Sequence, residues 1–97
     1  RMRVLESEEY LQWFNSLRDT KIKHRVVARI ERLKFGLLGD TKSVGDGVSE
    51  LRLYFGAGYR IYYTIRNGEI IILLTGGDKS TQSRDIARAK ELAKEYQ

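Results

Sequence analysis

Residues 50–75 read ELRLYFGAGYRIYYTIRNGEIIILLT, and the period of this stretch decides the fold. Leu51, Leu53 and Phe55 alternate with Glu50, Arg52 and Tyr54. After Gly56-Ala57-Gly58, Tyr59, Ile61, Tyr63 and Ile65 alternate with Arg60, Tyr62, Thr64 and Arg66. A period of two is that of a β-strand with unlike faces, so the stretch predicts antiparallel strands. Asn67-Gly68 is a strong hairpin signal, because its two central residues must both take positive φ. It leads into Ile70–Leu74, apolar at every position and therefore predicted as a central strand covered on both faces. A two-residue turn would set Arg66 opposite Glu69, Tyr62 opposite Leu73 and Arg60 opposite Thr75. A three-residue loop at Gly56–Gly58 would set Tyr54 opposite Arg60, Arg52 opposite Tyr62 and Glu50 opposite Thr64.

Outward from this core the period becomes helical. Ser7, followed by Glu8 and Glu9, supplies a capping hydroxyl and two acids at the positive end of a helix dipole. Tyr10, Trp13, Phe14 and Leu17 then fall on one helix face. Asp19 can cap a second helix, with Ile22, Val26, Val27, Ile30, Leu33 and Leu37 as its apolar positions and Gly36 or Gly39 ending it. Residues 38–49 hold three glycines and no period, which predicts a surface loop. Arg3–Leu5 is a short strand candidate. Beyond the Gly76–Ser80 tract a last helix starts near Ser80 or Thr81, with Ile86, Ala89, Leu92, Ala93 and Tyr96 at helical spacing. The predicted order is β-α-α-β-β-β-α over one domain, 1–97. This is an α+β fold in which a helical hairpin and a C-terminal helix pack on one face of a mostly antiparallel four-stranded sheet, the other face partly open.

The chain has no cysteine, which excludes a disulfide framework, a Cys-type zinc site and a thiol nucleophile, and fits a reducing cytoplasm. No apolar run approaches the roughly 20 residues of a membrane helix and no apolar signal region opens the chain, so a cytoplasmic protein without membrane contact is expected. The formal charge is +5, and its location matters more than its size. Residues 21–34 carry Lys21, Lys23, Arg25, Arg29, Arg32 and Lys34 against Glu31 alone, and the rest of the chain is balanced. Such a helix is an electrostatic footprint for nucleic acid or an acidic protein, or a solvated face.

On the strands, the predicted polar face gathers Glu50, Arg52, Tyr54, Arg60 and Tyr62. Guanidinium groups that bind phosphates beside rings that stack on unpaired bases suit single-stranded RNA. Cross-strand Tyr–Arg pairs that merely stabilise a wet sheet face are the plain reading of the same pattern. His24 is the sole histidine, so neither a Ser-His-Asp set nor a His-rich metal site can be assembled, and no metal or cofactor is expected. Gly76-Gly77-Asp78-Lys79-Ser80 joins backbone amides, a lysine and a helix start, as an anion site requires, and equally forms an ordinary sheet-to-helix turn.

Three segments together resemble a known family. Glu50-Leu51-Arg52, Gly56-Ala57-Gly58-Tyr59-Arg60-Ile61-Tyr62-Tyr63, and Leu73–Gln82 (LLTGGDKSTQ) with Asp85-Ile86 are similar to the addiction-module killer proteins, HigB-like members of the RelE/ParE superfamily of toxins in type II toxin-antitoxin systems. The resemblance is detailed over the C-terminal half, and the element order extends it to the whole chain. It implies a metal-independent mRNA interferase, an endoribonuclease acting on translated mRNA at the ribosome. It also implies a cognate antitoxin, commonly a small helix-turn-helix protein that would meet DNA on the toxin's behalf.

Carried over by position, Arg60 matches the arginine that holds the scissile phosphate, and Arg52 a basic residue on the preceding strand. Lys79 falls where such toxins place basic residues after the last strand. The chain departs from RelE-like enzymes in having Glu50 where they carry a further basic residue, Ser80 in place of an arginine and Ile86 in place of a tyrosine, and a HigB-type histidine is missing. The resulting expectation has Glu50 as base, Arg60 as phosphate clamp and Tyr62 or Lys79 as proton donor. Tyr54, Arg66, Lys21, Arg25, Arg29 and Arg32 are the expected RNA-binding residues. ParE-like members instead poison DNA gyrase without cutting RNA, and an inactive, antitoxin-binding relic is a third possibility.

Overall fold

The computed structural model of the chain describes residues 1–96. Strand β1 (Arg3–Glu6) is followed by helices α1 (Glu8–Ser16) and α2 (Thr20–Lys34), then β2 (Thr41–Gly45), β3 (Val48–Arg52), β4 (Arg60–Arg66) and β5 (Ile70–Gly77). A 3-10 turn over Lys79–Thr81 opens α3 (Gln82–Lys94). The caps are those the sequence predicts. Ser7 accepts from the Tyr10 amide and Asp19 from the Lys21 amide. Helix α2 stops at Lys34, with Gly36 at φ +79° just beyond. Among the described residues no helix is long and apolar enough to cross a membrane.

The sheet has five strands, in the order β1-β5-β4-β3-β2, with β1 parallel to β5 and the other pairs antiparallel. The additional strand, β2, lies inside the segment read as a loop. It pairs with β3 through a tight turn at Asp46-Gly47, both at positive φ. Its residues, TKSVG, are mostly polar because β2 is a sheet edge with little to bury, so no alternation betrays it. The Asp-Gly pair was the available signal.

Register departs from expectation at both hairpins. Glu69 joins the turn after Asn67-Gly68, so Arg66 pairs with Ile70, and a bulge at Leu74 shifts the rest until Arg60 lies opposite Gly77. The β3–β4 loop spans five residues rather than three: the Leu53 amide bonds the Tyr59 carbonyl, Arg52 pairs with Arg60 and Glu50 with Tyr62. This second slip is two residues. Slips of an even number preserve which side chains share a face, so Glu50, Arg52, Arg60 and Tyr62 still lie together.

The expectation of a partly open sheet face is overturned. Tyr10, Val26, Ile30 and Leu33 of the helical hairpin pack on Leu51, Ile61, Tyr63, Ile71 and Leu73. On the opposite face Ala89, Leu92 and Ala93 of α3 cover Val48, Tyr62, Ile72 and Leu74. The one-residue slip at the Asn67-Gly68 turn sets Leu74, with Ile72, on the α3 side. A β5 apolar at every position demands exactly such two-sided cover, so the short apolar stripe of α3 goes to the second face rather than beside the hairpin.

Candidate functional site

Two arginines face each other across the β3–β4 pair, Arg52 opposite Arg60. Like charges in directly opposed positions destabilise a sheet, so each needs a counter-ion or an anionic ligand. Arg60 Nε lies 3.4 Å from Glu50 Oε2, and its Nη1 donates to the Gly58 carbonyl at 2.7 Å. The side chain is only 12% exposed. Arg52 pairs with Asp40, its Nε 3.1 Å from Oδ2 and its Nη2 donating to Oδ1 at 3.2 Å. The Asp40 carboxyl is held below the usual carboxylate range by the Tyr54 hydroxyl first and Arg52 second, and Asp40 in turn raises the pKa of both.

Glu50 was expected on an open face as a general base. It is fully buried, accepting from the Tyr62 hydroxyl at 3.0 Å and from Gln82 Nε2 at 2.9 Å. Tyr62, expected to stack on bases or donate a proton, is equally buried, and burial followed by the bond to Glu50 pushes its hydroxyl pKa up. Both corrections have one cause: α3 covers the face that holds them. The pair forms the floor under Arg60 and does not itself line the grooves described next.

The open surface lies at the loop end of the strands, against α2. A groove of about 430 Å3 is lined by Arg25, Arg29, Arg32, Asp40, Arg52 and Tyr54, among others. A second, of about 340 Å3, continues past Arg52 and Tyr54 to Tyr59 and Arg60. The basic stripe of α2 and the strand arginines therefore share one surface. Tyr54 is 77% exposed where the grooves join, and the Arg25 guanidinium stacks 4.8 Å over the Phe55 ring. Lys79 is exposed beside the same loop, its amide bonded to the Ala57 carbonyl.

The remaining expected residues divide. Lys21, Arg25 and Arg32 are exposed on α2. Arg29 is buried, donating to the carbonyls of Leu37 and Leu38, and burial, then Arg32, lowers its pKa. It closes the segment after α2 while forming part of the groove wall. Arg66 lies at the far end of β4, donating to the Ala93 and Tyr96 carbonyls and to Thr64 Oγ1. It caps α3 and is not part of the grooves. The solvent-exposed His24 lines neither groove. Asp40 and Gln82 were not singled out; Gln82 stood in the quoted tract, but nothing local marks it as a partner of a strand carboxylate.

The Gly76–Ser80 tract also resolves. A Cβ on Gly76 would strike the Trp13 indole, and one on Gly77 the Asp85 carboxylate. The glycines are there for close packing on both sides of β5. Asp78 caps the turn, accepting from the Ser80 amide at 2.8 Å and forming a capping box with Thr81. The chain's own carboxylate thus occupies the place an external anion would take.

Residues 12–96 match the protein family described as "Phage derived protein Gp49-like". An uncharacterized protein of Haemophilus influenzae is 53% identical over 83 residues, covering 86% of this chain and 84% of that protein. Among solved structures, isolated E. coli RelE toxin superposes with TM-score 0.65 at 16% identity, over 91% of this chain and 98% of that one. A mutant E. coli RelE in the free state gives 0.64 at 18%, over 93% and 95%. A chain of the intact E. coli RelBE toxin-antitoxin complex gives 0.55 at 16%, over 80% and 96%. The fold is therefore the RelE fold that the sequence resemblance implied.

Proposed function

From the premise that the chain belongs to the phage-derived Gp49-like family and has the RelE fold, we propose that it is the toxin of a type II toxin-antitoxin system and a metal-independent endoribonuclease acting on translated mRNA at the ribosome. The observation that carries this is the opposed pair Arg52 and Arg60, with Arg52 where the groove from α2 meets that of the β3–β4 loop and Arg60 in the latter. Two cations with fixed positions and an exposed ring beside them fit a phosphate and its neighbouring unpaired base. The cognate partner is an antitoxin that covers this basic surface.

In the reaction, the ribose 2′-oxygen attacks the adjacent phosphorus as the bond to the 5′-oxygen breaks. The 2′-proton leaves with a base and the 5′-oxygen gains a proton, giving a 2′,3′-cyclic phosphate and a free 5′-hydroxyl. Negative charge builds on the phosphoryl oxygens in the transition state. Arg60, preset on its carboxylate, supplies fixed positive charge there without reorganising. Arg52 and Lys79 add charge on either side. Tyr54, kept protonated by Asp40, and Lys79 are the exposed groups suited to donate to the leaving oxygen. Glu50 serves this chemistry from beneath, by holding Arg60.

The test is inducible expression in a bacterial host, with and without Arg60→Ala, and mapping of new transcript 5′ ends. In-frame 5′-hydroxyl ends that vanish in the variant are the expected result. Growth arrest without such ends would move the target to gyrase or another machine, and no arrest would mark an antitoxin-binding relic.

A further inference from the structure

Gln82 has no role in the chemistry above, yet it reaches one of the most costly places in the molecule. A fully buried carboxylate is stable only when its lone pairs are met by donors. At Glu50 both hydrogen-bond donors, Tyr62 and Gln82, converge on Oε2, with the Arg60 charge at longer range. Oε1 is buried without a partner. The Arg60 contact, at 3.4 Å from Nε, is a charge pairing outside hydrogen-bond geometry. The Gly58 carbonyl holds one end of the guanidinium; the other is set by where the carboxylate lies, and that is set by the two short bonds from Tyr62 and Gln82.

The identity of these donors matters. Both are neutral, so each fixes Glu50 without bringing a second cation to compete with Arg60 for its charge. Among the described residues Arg60 is the sole cation paired with Glu50. Gln82 is also the first residue of α3, directly after the turn that carries Lys79. Its amide thus ties the start of α3 to the strand pair, while the Lys79 amide ties the same turn to Ala57.

We propose that Gln82 is a positioning residue for Arg60, acting through Glu50 to hold the guanidinium at the scissile phosphate. This rests on the endoribonuclease reading above, in which Arg60 meets that phosphate. Tyr62 shares the task from inside the sheet.

The test uses the whole chain with ribosome-bound, 5′-labelled message as substrate. Gln82→Met keeps side-chain length and removes the donor; Gln82→Asn keeps the amide but shortens it out of reach. Each is expected to lower kcat by up to about 100-fold, the scale of a sub-ångström to ångström misplacement of a reacting group, with KM for the message unchanged. Arg60→Lys supplies the background that separates positioning from general loss of structure. If Gln82 works through Arg60, Gln82→Met/Arg60→Lys cleaves no more slowly than Arg60→Lys alone. A wild-type kcat in both Gln82 variants, a loss confined to KM, or losses that multiply in the double variant would overturn the positioning role. A wild-type chain that leaves the message intact would instead overturn the endoribonuclease reading and the positioning role with it, whereas an Arg60→Lys variant of full activity would remove Arg60 from the phosphate and overturn the positioning role alone.

Discussion

Arg60 and Arg52 occupy opposed positions on adjacent strands, but the carboxylates that neutralise them come from different kinds of place. Glu50 is on β3 itself, fully buried beneath α3 and bound by two neutral donors. Asp40 precedes β2 in an irregular segment, remains 30% exposed and is held by Tyr54 and Arg52, with the Arg29 charge nearby. A buried carboxylate that loses its partner is left charged in a poor solvent, so the first pair is permanent. The second pair is about one-third exposed, so it is weaker, more open to salt and more readily exchanged for another anion. One strand pair thus presents a preset cation beside a releasable one.

The hardest break is Glu50→Ala, which leaves Arg60 and the Tyr62 hydroxyl without their partner. We expect a loss of about 3–5 kcal/mol in urea unfolding, as for other buried ion pairs deprived of one member. Tyr62→Phe removes one donor and should cost about 1–3 kcal/mol by the same measurement, because Glu50 keeps its burial and loses a hydrogen bond. A value near zero would mean that the Glu50 site is wet and that the two pairs differ less than their burial indicates.

Asp40→Asn should act in the opposite sense on function. With its counter-ion gone, Arg52 is available in the free protein, so RNA binding should tighten, and the slope of log affinity against log salt should steepen by about one. Binding that weakens would show Asp40 to be an orienting group like Glu50. The smallest effect is in pH. Because the Asp40 carboxyl is held below its ordinary value, its contribution to stability is present above about pH 4 and is lost as pH falls through the lower folded-state value. The stability difference between wild type and Asp40→Asn, followed by urea midpoints, should therefore be present at pH 7 and shrink as pH falls below the ordinary carboxylate value of about 4.

Much of the site was legible in one dimension. Arg52, Arg60, Tyr54 and Lys79 were picked out by strand alternation and by the quoted segments, and they lie together. The α2 stripe was legible as a charged face, but its placement was not. Whether Arg25 and Arg32 look toward the strand arginines depends on how the hairpin crosses the sheet, a relation between residues at least twenty positions apart. Arg66 and Arg29 show the converse failure. Each was read as a surface cation, and each is spent on backbone carbonyls that the fold brings to it, at the end of α3 and in the segment after α2.

The sequence by itself determined the helices, the caps, the Asn67-Gly68 hairpin and which residues of β3 and β4 share a face. These depend on local φ/ψ preference and on a period of two that a slip of two residues leaves intact. Only the tertiary structure decided which face α3 would cover. With that came the burial of Glu50 and Tyr62, the reach of Gln82 to Glu50 and the pairing of Arg52 with Arg60. Those are long-range contacts, fixed by loop length, a bulge and the need of β5 to be covered on both faces, and no local pattern encodes them.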